Sequence, residues 1–116
     1  MSERICFQLQ LVPELIEEYR HRHARVPQEM LDEIARSGRR NYSIFLGNDG
    51  LLIGYFETDD LQASTDYLAS STIATAWEAD SARYFIGMDE RPDQGFIRLI
   101  EVFNLASQRM DNSDDE

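Results

Sequence analysis

The sequence predicts an α+β fold in which helices cover one face of a four-stranded antiparallel sheet. Three observations support this prediction. The first segment alternates apolar and polar residues, a tight turn joins two apolar runs in mid-chain, and two regions of helical periodicity separate the strands. The order strand, helix, strand, strand, helix, strand is that of the ferredoxin-like βαββαβ arrangement.

The first strand and the first helical region are defined by their periodicity. In "RICFQLQL" apolar residues alternate with polar ones, which indicates a strand with one face toward a core. After Pro13, the residues Leu15, Tyr19 and His23 recur every four positions and therefore lie on one face of a helix. Pro27 interrupts this pattern, which predicts a bend followed by a second helical piece.

The middle of the chain contains the clearest local signal. Asn48, Asp49 and Gly50 accept positive φ angles and lie between two apolar runs, "NYSIFL" and "LLIGYFET", which predicts a β-hairpin. A second helical region is expected over about residues 60–87, with a break near Ser70.

The last predicted strand, "FIRLIEVFNL", has large apolar residues on both faces. Helices would cover only one face of the sheet, so the other would expose more apolar surface than a monomer normally does. We therefore expect a homodimer that closes this face. The domain is expected to cover residues 1–105, and the polar, acidic residues 106–116 to form a disordered tail.

Composition limits the classes of function. A chain of 116 residues is expected to form one domain, and its net charge of −11 argues against nucleic acid and anionic membranes as partners. No apolar run reaches the ~20 residues needed to cross a bilayer. The single cysteine, Cys6, is expected to be buried, and its lack of a disulfide partner together with the absence of an export signal favours the cytoplasm. Five arginines near the first helical region are interpreted mainly as solvated partners of acids, with ligand contact as the alternative: Arg20, Arg22, Arg25, Arg39 and Arg40.

The two histidines have different expected roles. His21 and His23 lie about 200° apart on a helix, so they cannot bind one metal ion, and no metal site is expected. His21 is expected to face solvent. His23 shares its face with Tyr19 near the helix end, where the helix dipole favours a charged imidazole and burial opposes it, a balance suited to acid–base catalysis near neutral pH. The alternative for His23 is a hydrogen-bonded helix-end histidine without a catalytic role.

Four motifs in this order resemble the L-rhamnose mutarotase family over nearly the whole folded length. They are "EEYRHRH" on the first helix, "NYSIFL" in the second strand, "TAWEAD" in the second helical region and "EVF" near the end. The resemblance implies a ferredoxin-like homodimer, a dimeric α/β barrel, that interconverts the anomers of a hexose in the cytoplasm without a cofactor. The expected partner is a monosaccharide substrate.

The resemblance also implies roles for four residues. His23 matches the catalytic histidine and would donate a proton to the ring oxygen of the sugar. Tyr19 would orient the sugar or relay a proton, Tyr42 would bind a sugar hydroxyl, and Trp77 would contact the C–H face of the ring or the 6-methyl group of a deoxy sugar. Without the resemblance, Tyr42 and Trp77 would be ordinary strand and core residues.

Three positions depart from the family pattern. Pro27 and Gln28 stand where the family usually has Trp and Pro, so we expect an altered pocket wall. Glu78 stands where many members have a second tryptophan, and it would contact sugar hydroxyls or face water. Two other functions stay open: a cofactor-free or haem-degrading monooxygenase on the same dimeric barrel, and a non-catalytic sugar-binding module.

Overall fold

The computed structural model describes residues 2–87 and 91–114, with side chains as far as residue 110. Its strands pair only antiparallel, in the order β2-β3-β1-β4, which confirms the predicted α+β, ferredoxin-like sheet. The strands are β1 (Glu3–Gln10), β2 (Arg40–Leu46), β3 (Leu51–Thr58) and β4 (Ile97–Leu99). The helices are α1 (Ile16–His23), α2 (Gln28–Arg36), α3 (Leu61–Ser70), α4 (Thr72–Ser81) and α5 (Leu105–Asp114).

The central strand β1 buries its alternating apolar residues as predicted. Ile5, Phe7 and Leu9 all point to the covered face of the sheet and are buried. Phe7 pairs with Gly54 of β3, and a Cβ atom at Gly54 would lie 2.1 Å from the Cζ atom of Phe7. The aromatic ring therefore occupies the space above the glycine.

The hairpin between β2 and β3 forms where it was predicted. Asp49 and Gly50 have φ angles of 60° and 88°, the left-handed conformations that this turn requires. A β-bulge at the start of β2 was not predicted from the sequence. Asn41, at a φ angle of 51°, and Tyr42 both lie opposite Phe56, because pairing shifts between residues 40 and 43. The bulge sets Tyr42 against Phe56 on the covered face.

The helix boundaries follow their capping residues. Pro27 precedes α2, which confirms the predicted bend after α1. The carboxylate of Asp60 accepts a hydrogen bond from the Ala63 N–H at 3.0 Å, and the Ser71 hydroxyl accepts one from the Ala74 N–H at 3.1 Å. The backbone of Ser71 is extended, which ends α3 and starts α4 close to the break predicted near Ser70.

The apolar core consists of two clusters. One joins the covered face of the sheet to α1, and the other lies among α2, α3 and α4, which pack on one another. The sheet cluster contains Ile5, Phe7, Leu9, Leu11, Tyr19, Leu52, Phe56 and Tyr84, and the helical cluster contains Met30, Leu68 and Ala74. Trp77 packs against the helical cluster. This division leaves room for a cavity between them.

The C-terminal part differs from the prediction in two ways. Strand β4 covers only residues 97–99 of the predicted "FIRLIEVFNL", because the segment after Leu99 leaves the sheet edge and exposes Ile100 and Val102 to 87% and 92%. Residues 105–114 form helix α5 rather than a disordered segment, and the Asn104 side chain caps it by accepting a hydrogen bond from the Ser107 N–H at 2.9 Å. The domain boundary at residue 105 stays a prediction.

Two further expectations concern the burial of Cys6 and helices that could cross a membrane. Cys6 is a free thiol and only half-buried, rather than buried, because it lies on the sheet face opposite the helices. Within residues 2–87 and 91–114, no helix is long and apolar enough to cross a membrane.

Candidate active site

A cavity of about 790 Å³ lies between the sheet and the helices, where the two apolar clusters meet. Its size is within the range of small-molecule sites. All four residues predicted for the site line it: Tyr19, His23, Tyr42 and Trp77. The structure therefore brings together side chains from α1, β2 and α4.

His23 is held in one orientation by its own helix. Its Nδ1–H donates a hydrogen bond to the backbone carbonyl oxygen of Tyr19 at 3.0 Å, and the two rings stack with centroids 4.0 Å apart. Burial lowers the pKa of His23 below its usual value, and the positive charge of Arg22 acts in the same direction, although the bond to Tyr19 opposes them. The imidazole is therefore mainly neutral at pH 7, and Nε2 is the nitrogen left to accept a proton.

Trp77 has one ring face occupied. The guanidinium carbon of Arg22 lies 3.5 Å from the centroid of the indole, a cation–π contact, and Arg22 also pairs with Asp80 at 3.1 Å. The His23 ring meets Trp77 edge-on, with centroids 5.6 Å apart. A sugar in the cavity would therefore meet the edge or the remaining face of the indole.

Two tyrosines place hydroxyl groups at the cavity. Burial raises the pKa of Tyr19 well above its usual range, and the negative charges of Tyr42 and Glu78 would raise it further. Burial raises the pKa of Tyr42 to about 12. Both phenols thus stay protonated at neutral pH and serve as hydrogen-bond donors.

For Arg39 the main interpretation, a solvated arginine, was wrong, and its position fits the alternative of ligand contact. Its side chain lines the cavity and is only 3% exposed. It donates to the hydroxyls of Ser64 at 3.2 Å and Thr65 at 3.3 Å and lies over the ring of Phe56. Its position directly before β2 offered no signal of burial, because periodicity says nothing about a residue at the end of a strand.

Glu78 also lines the cavity. Of its two expected roles, facing water is excluded by its burial, and contact with a ligand stays a prediction. Glu78 is 8% exposed, and its Oε2 atom has no hydrogen-bond partner among the described residues. Burial raises its pKa to about 7, assisted by the charge of Asp93 and opposed by Arg91, by a hydrogen bond from the Asp93 backbone N–H and by Arg39. Asp93 lines the cavity as well, and no motif or periodicity in the sequence indicated it.

The remaining candidate residues lie outside the cavity. His21 is exposed, as predicted. Pro27 and Gln28 are exposed and do not belong to the cavity lining, and the altered pocket wall stays a prediction. Both residues lie at the start of α2, where Pro27 is the N-cap.

Comparison with known proteins shows which family the chain belongs to. The family model described as L-rhamnose mutarotase matches residues 4–105. The L-rhamnose mutarotase of Listeria monocytogenes is 36% identical over 107 residues, covering 90% of this chain and 99% of the relative. That of Lachnoclostridium phytofermentans is 33% identical over 105 residues, covering 88% and 97%.

Two solved structures share the fold. The crystal structure of an L-rhamnose mutarotase from Formosa agariphila superposes with a TM-score of 0.70 at 24% identity, covering 89% of this chain and 98% of that one. The structure of Rv0793 from Mycobacterium tuberculosis gives a TM-score of 0.53 at 13% identity, with coverage of 90% and 99%. The match of the family model over nearly the whole chain, together with relatives above 30% identity at nearly full coverage, shows that the protein belongs to the L-rhamnose mutarotase family.

Proposed function

We propose that the protein is an isomerase that interconverts the α and β anomers of L-rhamnose. The observation that carries this proposal is the arrangement of His23, whose Nδ1–H is committed to the Tyr19 carbonyl so that Nε2 is available in a cavity of small-molecule size. Family membership supplies the substrate class. The reaction needs only proton transfers, which suits a cavity lined by an imidazole, phenols and a carboxyl group.

The reaction opens and closes the sugar ring. A base removes the proton from the anomeric hydroxyl while an acid protonates the ring oxygen, so the bond between C1 and the ring oxygen breaks and an aldehyde forms. After rotation about the C1–C2 bond, the hydroxyl adds to the other face of the aldehyde and both protons return. No atom is gained or lost.

His23 takes part in this exchange through Nε2. The sequence led us to expect a proton donor to the ring oxygen. The neutral imidazole and the fixed Nδ1–H favour a base instead, because Nε2 must accept a proton before it can donate one. We therefore propose that His23 removes the anomeric proton during opening and returns it during closure.

The neighbouring side chains position the sugar. The protonated hydroxyls of Tyr19 and Tyr42 donate hydrogen bonds to sugar hydroxyls, and the free edge or face of Trp77 packs on C–H groups or the 6-methyl. Packing of an aromatic ring on the apolar face of the pyranose orients the sugar without a charged side chain.

The test is exchange NMR of the anomeric protons of L-rhamnose near neutral pH. We expect the wild-type protein to accelerate exchange, and His23→Gln to lose about 10²–10⁴-fold of that acceleration. The matched control is His21→Gln, two residues away and exposed, which should leave the rate unchanged. If L-rhamnose and a panel of other aldoses bind saturably but their anomers do not exchange faster, the protein is a non-catalytic sugar-binding module. A preparation that binds haem would favour the monooxygenase.

We further propose that the protein acts as a homodimer in the cytoplasm. Strand β4 and the segment after it support the dimer, because together they expose five large apolar residues at the edge of the sheet. They are Ile97, Ile100, Val102, Phe103 and Leu105. The free thiol of Cys6 fits a reducing compartment. Light scattering should give twice the mass of the chain for the wild type, and Val102→Glu should shift the protein toward the monomer. A monomeric wild type at micromolar concentration would exclude the dimer.

A further inference from the structure

We infer that Glu78 is the acid that protonates the ring oxygen when the sugar opens, with His23 as its base partner, an inference that rests on the proposed function. Both side chains line one cavity but come from different helices, α4 and α1. The established features of the site leave the source of this second proton open. The tyrosine hydroxyls are poor sources, because their pKa values lie far above neutral pH.

The buried Oε2 atom of Glu78, which has no hydrogen-bond partner in the described part of the chain, is the first argument. A carboxylate in a folded protein normally accepts hydrogen bonds or pairs with a cation, because an unpaired buried charge is costly. Glu78 is 8% exposed. Its carboxyl group accepts one hydrogen bond, from the backbone N–H of Asp93. In the described part of the chain its Oε2 atom has no partner, and no arginine or histidine lies within ion-pair distance. These surroundings favour the neutral acid, which carries a proton that it can give.

The charges around Glu78 are the second argument. Asp93 is held by Arg91 in a two-point pair, at 2.7 Å from Nε and 2.8 Å from Nη2, so the hydrogen bonds of this guanidinium group go to Asp93 rather than to Glu78. Arg39 also faces Glu78, but it is anchored on the hydroxyls of Ser64 and Thr65. Burial and the charge of Asp93 therefore outweigh the two arginines, and the pKa of Glu78 is raised.

The third argument is the division between acid and base. The surroundings of His23 keep its imidazole neutral, and those of Glu78 keep its carboxyl protonated into the neutral range, where its pKa is about 7. The pKa of the imidazole is lowered and the pKa of the carboxyl group is raised. Near neutral pH the first group can therefore act as the base and the second as the acid.

The step balances as a proton exchange. Glu78 gives its proton to the ring oxygen as the bond to C1 breaks, and His23 takes the proton of the anomeric hydroxyl. The enzyme then holds a carboxylate and an imidazolium. Closure returns the Glu78 proton from the sugar hydroxyl to the carboxylate and the His23 proton to the anomeric oxygen, which restores both groups.

The first experiment is the pH dependence of anomer exchange for L-rhamnose with the wild type and Glu78→Gln. Glutamine has nearly the shape of the acid but no proton to transfer. We expect the wild-type rate to fall above about pH 7 as Glu78 ionises. The variant should lose about 10²–10⁴-fold of the acceleration and should show no such fall.

The matched control is Glu33→Gln. Glu33 is also buried, but it bonds to Ser71 and Arg36 outside the cavity lining. This variant should keep both the rate per folded molecule and the fall above pH 7. A Glu78→Gln protein with the wild-type rate and pH profile would overturn the role of Glu78 while leaving the proposed function intact. A wild type that catalyses no exchange of any aldose would overturn both.

A second measurement does not depend on activity or on a variant. The side-chain carboxyl carbon of Glu78 in the wild-type protein should titrate by NMR between pH 6 and 8, and L-rhamnose should shift its resonance. Titration that is complete below pH 5 would overturn the inference, because the group would then hold no proton to give at neutral pH.

Discussion

The Nδ1 atom of His23 lies 3.0 Å from the backbone carbonyl oxygen of Tyr19, one helical turn earlier, while the two side-chain rings stack with centroids 4.0 Å apart. A carbonyl oxygen can only accept a hydrogen bond, so Nδ1 carries a hydrogen in every protonation state. The contact thus selects the tautomer of the neutral imidazole and points its reactive lone pair away from the helix. Tyr19 contributes to the site through its backbone as well as its hydroxyl.

This contact predicts the acidic limb of the pH profile. The pKa of His23 is lowered by burial and by Arg22, so its base form persists below pH 6.5, and the rate of exchange should fall only as the pH drops further. Arg22→Met, which retains an apolar stem against Trp77 but removes the charge, should move this fall to higher pH. The titration can be followed directly by proton NMR of His21→Gln, in which His23 is the only histidine. A limb unmoved by Arg22→Met would contradict the electrostatic account.

Tyr19→Phe separates the ring from the hydroxyl. The stack on His23 and the edge contacts with Tyr84 and Phe85 remain, so the fold should be kept. Loss of one hydrogen bond to the sugar, about 1 kcal/mol, should raise KM roughly fivefold with little change in kcat. Steady-state exchange rates over a range of L-rhamnose concentrations measure both.

Tyr84→Phe is the control for this variant, because Tyr84 is buried outside the cavity lining and its hydroxyl bonds to Arg83 at 2.7 Å. Its KM should equal that of the wild type. If Tyr19→Phe instead lowers kcat a hundredfold at constant KM, the hydroxyl relays a proton rather than orienting the sugar.

Gly54→Ala tests the packing beneath the cavity. A methyl group at Gly54 would lie 2.1 Å from the Phe7 ring, so the ring must move, which should lower the free energy of unfolding by about 1–3 kcal/mol. Gly47→Ala is the control, since its methyl group would meet Leu51 at an ordinary 3.5 Å and should change stability by less than about 0.5 kcal/mol. Urea unfolding measures both. Equal stabilities would show that Phe7 repacks without cost.

Glu78→Gln should also stabilise the protein at alkaline pH. The pKa of Glu78 is raised from 4.5 to about 7 on folding, so the unfolded chain loses this proton first, and stability falls between these two pH values as the pH rises. A displacement of this size corresponds to roughly 3 kcal/mol at pH 8, and the variant should recover much of it there but gain little at pH 5.

Glu33→Gln should have the opposite sign. Hydrogen bonds from Ser71 and Arg36 lower the pKa of Glu33, so its carboxylate stabilises the fold above pH 4.5, and that contribution is lost as the pH falls through its lowered pKa. This variant should be less stable than the wild type at pH 7. Urea unfolding at pH 5 and pH 8 compares both substitutions, and a Glu78→Gln protein destabilised at pH 8 would contradict the ionisation argument.

The sequence by itself determined the features that depend on neighbouring residues. The alternation in β1, the turn at Asp49 and Gly50, and the face shared by Tyr19 and His23 follow from side-chain period and backbone φ preference, which are local properties. The resemblance to a known family added Tyr42 and Trp77, and the cavity includes both.

The tertiary structure decided what depends on groups distant along the chain. Strand β4 ends at Leu99 because a strand needs a partner as well as a suitable pattern, and Tyr42 reaches the covered face through a bulge set by pairing with β3. Arg39 and Glu78 are buried in the walls of the cavity, where the charge of Asp93 raises the pKa of Glu78 and that of Arg91 lowers it. Burial and electrostatic energy are set by distance in space, so periodicity identified Tyr19 and His23 but could not identify the ionisation state of Glu78.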